Sequence, residues 1–132
     1  MRTPAEILRD ASTIAMVGAS PRPDRPSHGV MRYLLEHGYR VIPVRPRDCA
    51  EVLGVPCAAS LAEIGEPVDL VDVFRRSEFC ADVAREAVAA GAGALWLQLG
   101  IISPEARRIA LDVGLDYVED LCTAVVHARE VA

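Results

Sequence analysis

The sequence contains no lysine and no asparagine, and glutamine occurs once. All 14 basic residues are therefore arginines, whose planar guanidinium group binds phosphate better than the amine of lysine does. The net charge is −5 and only 5% of the residues are aromatic, so neither a basic stripe nor a set of stacking aromatics is available for nucleic acid. We therefore expect no nucleic-acid partner.

Signals for membranes, metals and disulfides are also missing. No apolar stretch reaches the roughly 18 residues that span a membrane, and residues 1–10 are charged, so we expect neither a signal peptide nor a membrane segment. The four cysteines, Cys49, Cys57, Cys80 and Cys122, form no C-x-x-C pair and no zinc-binding spacing with histidine. We predict reduced thiols, no metal and a cytoplasmic location.

The sequence does have the composition of a folded protein, since 52% of its 132 residues are apolar. This length suits one domain over residues 1–132. Short apolar runs alternate with amphipathic helical patterns, an order typical of a parallel, doubly wound α/β sheet. The sequence therefore predicts a parallel five-stranded sheet with helices on both faces, in the order 3-2-1-4-5 with the first strand central. The predicted strands cover residues 13–18, 40–44, 68–74, 94–99 and 115–118.

The carboxyl ends of these strands carry polar and basic residues. Ligands of doubly wound proteins bind at that edge of the sheet. We therefore predict a site built from the ends of the first four strands and from the loop after the first strand. Its predicted members are Gly18, Ala19, Ser20, Pro21, Arg25, Ser27, His28, Val44, Arg45, Pro46, Phe74, Arg75, Gln98 and Gly100.

The loop after the first strand is a candidate anion site. Its backbone N–H groups lie at a predicted helix start, with Ser20 and Arg25 nearby and Ser27 as the predicted N-cap. It has neither the G-x-G-x-x-G of dinucleotide-binding folds nor the G-K-[ST] of a P-loop. The second strand ends in Arg45 rather than in the acidic residue that binds the ribose hydroxyls of NAD. An arginine there favours a ribose that carries a phosphate, as in NADP or coenzyme A.

Several short motifs over residues 10–127 carry a resemblance to a known family. They are G-x-S-P at 18–21 with the loop residues Pro23, Arg25, Pro26 and Ser27, EHGY at 36–39, VIPV-x-P at 41–46, PVDLVDVFRRSE at 67–78, WLQLGI at 96–101, and Cys122. In combination they resemble the small stand-alone CoA-binding proteins of bacteria, a Rossmann-like family similar to the CoA-binding domain of succinyl-CoA synthetase. The resemblance implies coenzyme A (CoA) as the ligand, with its nucleotide end on the first loop and on the second and third strand ends.

Two parts of the chain depart from the usual pattern of that family. Arg45 stands where the family has asparagine. The family also has arginine before the late cysteine, then lysine and Glu-His after it. In this chain those positions are occupied by Leu121, Ala124 and Val126-His127. Because the charged residues around it are missing, we predict that Cys122 is not required for ligand binding.

No constellation of residues indicates catalysis. The three histidines are scattered, Asp69 and Asp72 show no acid–base pairing, and Cys122 is interpreted as a buried, inert thiol. The predicted function is therefore non-catalytic binding of CoA or acyl-CoA, by which the protein senses CoA, carries it or serves a protein partner that the sequence does not identify. Two alternatives stay open. One is a small NADP-dependent oxidoreductase, which the missing fingerprint and the absence of lysine disfavour. The other is a protein that exchanges disulfides with CoA through Cys122.

Overall fold

Helices and strands alternate along the computed structural model, which describes all residues from Met1 to Ala132. The strands are β1 (Thr13–Val17), β2 (Arg40–Val44), β3 (Glu51–Val52), β4 (Val55–Pro56), β5 (Leu70–Val73), β6 (Ala94–Leu97) and β7 (Asp116–Val118). The helices are α1 (Pro4–Asp10), α2 (Pro26–Glu36), α3 (Ser77–Ala89), α4 (Pro104–Asp112) and α5 (Thr123–Glu130), with a 3₁₀ turn at Leu61–Glu63. Five strands form a parallel sheet in the order β2-β1-β5-β6-β7, and β3 pairs with β4 in a separate hairpin. The predicted fold class, a single Rossmann-like α/β domain, is confirmed.

Helices pack against both sides of the sheet, so the strands are buried on both faces. Alternate strand residues, among them Val17, Val73 and Leu97, join one core cluster with residues of α3 and α4. The intervening residues, among them Met16 and Trp96, join a second cluster with residues of α1, α2 and α5. Burial on both faces explains why the strands appear in the sequence as continuous apolar runs. None of the helices is long and apolar enough to cross a membrane.

The strand order differs from the predicted 3-2-1-4-5. β5, the third of the five sheet strands along the chain, pairs with β1, so β5 is central and β1 lies beside it. Pro43 in β2 provides a physical reason, because its carbonyl faces the outer edge of β2 and accepts a hydrogen bond from the Ala58 N–H at 2.9 Å. The nitrogen of Pro43 has no hydrogen to donate on that side, so the edge is a poor place for a further full strand. A short segment around Ala58 covers it instead.

The start of α2 also differs from the prediction. Arg25 is the N-cap residue, and no side chain caps the helix. Pro26 takes the first helical position, which suits a residue without an N–H and with a preset φ. Ser27 therefore lies within the first turn rather than before it, and its hydroxyl is not used as a cap.

Two of the four cysteines are paired, contrary to the prediction of reduced thiols. Cys49 and Cys57 form a disulfide that closes the segment containing the β3–β4 hairpin. The hairpin brings the two residues together, which a search for C-x-x-C motifs does not detect. Cys80 is a buried free thiol and Cys122 a half-buried one.

Candidate functional site

A cleft of about 580 Å³ opens at the carboxyl ends of β1 and β5. These strands are neighbours, but the chain runs from β1 to β2 on one side and then to β5 on the other, so the cleft lies at the topological switch point. Ligands of doubly wound proteins bind at this point, and the volume is within the usual range of about 300–1,000 Å³ for ligand pockets. Of the predicted site residues, Gly18, Ser20, Arg25, Ser27, Arg45, Phe74 and Gln98 line the cleft.

Gly18 forms the sharp turn at the base of the cleft. Its φ is +87°, and a Cβ added to it would lie 2.7 Å from the carbonyl oxygen of Phe74. Only glycine fits a position that combines a left-handed backbone with so close a neighbour. The turn therefore brings the loop after β1 directly against the end of β5.

The first turn of α2 forms one wall of the cleft and is suited to an anion. No side chain caps the helix, and the first turn contains no acidic residue. The hydroxyl of Ser27 has no partner within the protein, although only 3% of the residue is exposed. The Ser20 hydroxyl accepts from the Arg22 N–H at 3.2 Å and holds the loop in shape. The positive end of the α2 dipole thus meets the cleft without a neutralising group.

Three arginine side chains line the cleft without a carboxylate partner inside it. Arg45 is half-buried, and its Nε and Nη1 donate to the carbonyl oxygens of Arg47 and Ala19 at 3.0 and 3.3 Å. Arg25 forms no ion pair, and Arg22 forms only an exposed one at 3.3 Å, with an aspartate of its own loop. Exposed pairs of that kind are weak, so the cleft keeps a net positive charge although the chain as a whole is acidic.

A second cavity, of about 570 Å³, lies on the other side of Arg45. It contains three more of the predicted residues, Val44, Pro46 and Arg75. The Arg75 guanidinium lies 4.3 Å above the centre of the Phe79 ring, a cation–π contact, and forms no ion pair with a carboxylate. Arg45 therefore stands between two cavities at the carboxyl end of β2.

Beneath the cleft lies a buried, hydrogen-bonded group made of Asp72, Gln98 and Thr123. Burial raises the pKa of Asp72 to about 7, although hydrogen bonds from Gln98 and Thr123 act in the opposite direction. Sequence reasoning identified Gln98 but missed its two partners. The available signal was an aspartate inside an apolar strand, which requires a polar partner elsewhere in the fold.

The end of the cleft away from α2 is more apolar. Leu99, Ile101 and Cys122 line this end, and none of the three was predicted as a CoA-binding residue. Val30, a further apolar residue of the lining, belongs to α2. Cys122 is the N-cap residue of α5, so its free thiol lies at the start of a helix. Leu99 is 70% exposed although it directly follows buried strand residues. An apolar run in the sequence does not show which of its residues is exposed.

Four predicted residues do not line either cavity. Ala19 is buried and contributes only its carbonyl to Arg45, Pro21 is exposed on the loop, and His28 is buried within α2. Gly100 also lies outside both cavities, and its N–H donates to the Asp120 carboxylate at 2.7 Å, which links the loops after β6 and β7. Position at a strand end was therefore not sufficient to place a side chain in the cleft.

The doubly wound sheet with a cleft at its switch point defines a Rossmann-like ligand-binding domain. Residues 12–128 match the family described as CoA binding domain, and the chain belongs to this family. The resemblance drawn from the sequence motifs is thereby confirmed.

Three similar proteins have nearly the same length. The chain is 44% identical over 123 residues to the uncharacterized protein YneT of Bacillus subtilis, covering 93% of this chain and 90% of that protein. A solved structure described as cell-free ID.343 from Thermus thermophilus is 44% identical with a TM-score of 0.89, covering 94% of this chain and 93% of that one. A hypothetical protein from Pyrococcus horikoshii is 38% identical with a TM-score of 0.94, covering 98% of this chain and 90% of that one.

Proposed function

We propose that this protein binds CoA in the switch-point cleft and holds the nucleotide end of CoA through its phosphates. The observation that carries the proposal is the unneutralised guanidinium of Arg45 at the carboxyl end of β2. In Rossmann-like proteins the end of the second strand meets the ribose of a bound nucleotide. A cation there selects a ribose with a phosphate group, and CoA carries a 3′-phosphate.

Arg45 has donors left for such a phosphate. Its Nε and Nη1 each donate to a backbone carbonyl, which fixes the guanidinium plane. Nη2 donates to no protein atom, and Nη1 retains a second hydrogen. These neighbouring donors suit the two oxygens of a phosphate.

The start of α2 would hold the diphosphate of CoA. The Ser27 hydroxyl, the uncapped first turn and the Arg25 side chain meet at the same wall of the cleft. All three favour negative charge. The pantetheine arm would then follow the apolar end of the cleft past Leu99 and Ile101.

We further propose that the protein has no catalytic activity of its own. No histidine lines the cleft, and His127 hydrogen-bonds Tyr33 through Nδ1 at 2.8 Å on the side of α2 and α5. Cys122 therefore has no neighbouring base of the kind that activates a catalytic cysteine. Binding without chemistry agrees with a domain that presents CoA to another protein.

Isothermal titration of the protein with CoA, dephospho-CoA and NADP tests the proposal. We expect CoA to bind more tightly than either of the other two, because only CoA combines the 3′-phosphate with the pantetheine arm. Mass spectrometry of the ligand that co-purifies with the protein provides an independent check. Tight binding of NADP together with no binding of CoA would overturn the proposal and favour the NADP-dependent oxidoreductase.

A second candidate function is thiol–disulfide exchange with CoA disulfide, because the free thiol of Cys122 lines the same cleft. In that reaction the Cys122 thiolate attacks one sulfur of CoA disulfide. A mixed disulfide forms between Cys122 and CoA, and the second CoA leaves as a thiolate. Mass spectrometry of the protein after incubation with CoA disulfide distinguishes this function from simple binding.

A further inference from the structure

The floor of the cleft contains a closed ring of hydrogen bonds. Gln98 Nε2 donates to Asp72 Oδ1 at 2.6 Å and to Thr123 Oγ1 at 2.8 Å. The Thr123 hydroxyl in turn donates to Asp72 Oδ2 at 3.0 Å. The three residues come from the central strand β5, from the end of β6 and from the first turn of α5. The ring therefore connects three elements of the fold at one point.

This ring fixes the direction of the Gln98 amide. Both hydrogens of Nε2 are used, so the amide nitrogen has nothing left to donate to a ligand. When Asp72 is ionised, the reversed amide would place Oε1 at hydrogen-bond distance from its carboxylate, where two acceptor oxygens would face each other. A neighbouring carboxylate thus holds the amide nitrogen toward the protein and the amide oxygen away from it.

The amide oxygen opens into the cleft. Gln98 lines the cleft although only 4% of the residue is exposed. Its Oε1 has no partner within the protein, while every side-chain nitrogen or oxygen that is sealed from solvent does have one. Oε1 is therefore not sealed from solvent, and it is an acceptor in a fixed position that lacks a donor.

We propose that Gln98 Oε1 accepts a hydrogen bond from an amide N–H of the pantetheine arm, an inference that rests on the proposed function. Asp72 and Thr123 act as positioning residues for the Gln98 amide. An acceptor oxygen without a free donor beside it, backed by Asp72, disfavours phosphate, so we expect the anionic part of the ligand to lie elsewhere. The arginines and the start of α2 provide that place. Pantetheine is the part of CoA that is uncharged and carries amide N–H donors. Gln98 is thereby a specificity-determining residue for the arm.

The test compares two ligands on two proteins by isothermal titration. Adenosine 3′,5′-bisphosphate has the nucleotide end of CoA but no pantetheine arm. We expect Gln98→Leu to weaken the binding of CoA by roughly 3- to 10-fold, which is the effect of one lost neutral hydrogen bond. The affinity for the bisphosphate should change by less than about 2-fold. Equal effects on both ligands, or none on CoA, would overturn the inference. Failure of the unsubstituted protein to bind either ligand would instead overturn the proposed function, and the inference with it.

A second pair of variants keeps the inference testable where Gln98→Leu does not fold. Thr123→Val removes one acceptor from Gln98 and one donor from Asp72, whereas Thr123→Ser retains both. We expect Thr123→Val to reduce the preference for CoA over the bisphosphate, and Thr123→Ser to restore it. A loss of packing alone would not change the ratio of the two affinities. An unchanged ratio in Thr123→Val would show that Thr123 does not position the amide.

Discussion

Arg45 is the residue whose substitution best separates the candidate ligands. A hydrogen bond to a charged group contributes about 1.5–3 kcal/mol, so Arg45→Ala should weaken the binding of CoA by roughly 10- to 150-fold. Dephospho-CoA, which lacks the 3′-phosphate, should be almost unaffected. Titration calorimetry of both ligands measures the difference. Arg40→Ala is the matched control, because Arg40 lies at the opposite end of β2 and pairs with Glu66. Equal weakening of the two ligands by Arg45→Ala would mean that Arg45 does not contact the 3′-phosphate.

Cys122 lines the cleft but has lost the charged neighbours typical of the family. Cys122→Ala should leave the affinity for CoA within a few-fold of the original value, because a thiol is a weak hydrogen-bonding group. Titration with CoA under reducing conditions measures this. A loss of more than about 100-fold, or roughly 2.7 kcal/mol, would make Cys122 a binding residue. The same variant should abolish any mixed disulfide with CoA if the protein exchanges thiols.

Asp72 should make the stability of the protein depend on pH. Burial raises its pKa from 3.8 to about 7 in the folded protein, so the folded state binds the proton more tightly than the unfolded chain does. The contribution of Asp72 to stability is therefore complete below about pH 4 and is lost as the pH rises through about 7. The difference between the two pKa values corresponds to about 4 kcal/mol.

Urea unfolding of the original protein and of Asp72→Asn at pH 4, 5.5 and 7 tests this dependence. The asparagine cannot titrate, so the free-energy difference between the two proteins should shift in favour of Asp72→Asn as the pH rises. Glu6 and Glu66, whose pKa values are lowered, are present in both proteins. Their contributions to the pH dependence of stability therefore cancel in the comparison. A difference independent of pH would mean that the pKa of Asp72 is not raised in the folded protein.

At the scale of elements, the turn between β1 and α2 determines the shape of the cleft. Gly18→Ala should destabilise the protein by about 1–3 kcal/mol, because the added Cβ meets the Phe74 carbonyl and the backbone is left-handed. Gly29→Ala is the control, since Gly29 lies within α2 with open space around it and alanine should stabilise the helix by about 0.5–1 kcal/mol. Urea unfolding compares the two. Equal stabilities for the two variants would contradict the close contact at Gly18.

The elements themselves could be predicted from the sequence, but their arrangement could not. Apolar runs and helix starts are local signals, so the strands and helices agree closely with the prediction. The order of the strands depends on pairing between distant segments, and only Pro43 hinted at an edge. The same limit applies to the site. Gly18, Ser27 and Arg45 follow from their positions at strand and helix ends, whereas the contact between Asp72 and Thr123 joins residues 51 positions apart.

For the whole molecule, ligand binding and stability are linked. A ligand that binds only the folded state at 100 times its Kd adds about 2.7 kcal/mol of stability, which raises the Tm of a domain of this size by about 10 °C. At the same concentration, dephospho-CoA should give half that shift or less, since its Kd should be at least about 10-fold higher without the contact to Arg45.

Differential scanning calorimetry of the protein and of Arg45→Ala with both ligands measures these shifts. In Arg45→Ala the two ligands should raise the Tm equally, because the group that distinguishes them is gone. This comparison does not depend on the stability of the variant, since each protein is compared with itself in the absence of ligand. Equal shifts already in the original protein would show that the fold binds the part common to both ligands and does not contact the 3′-phosphate.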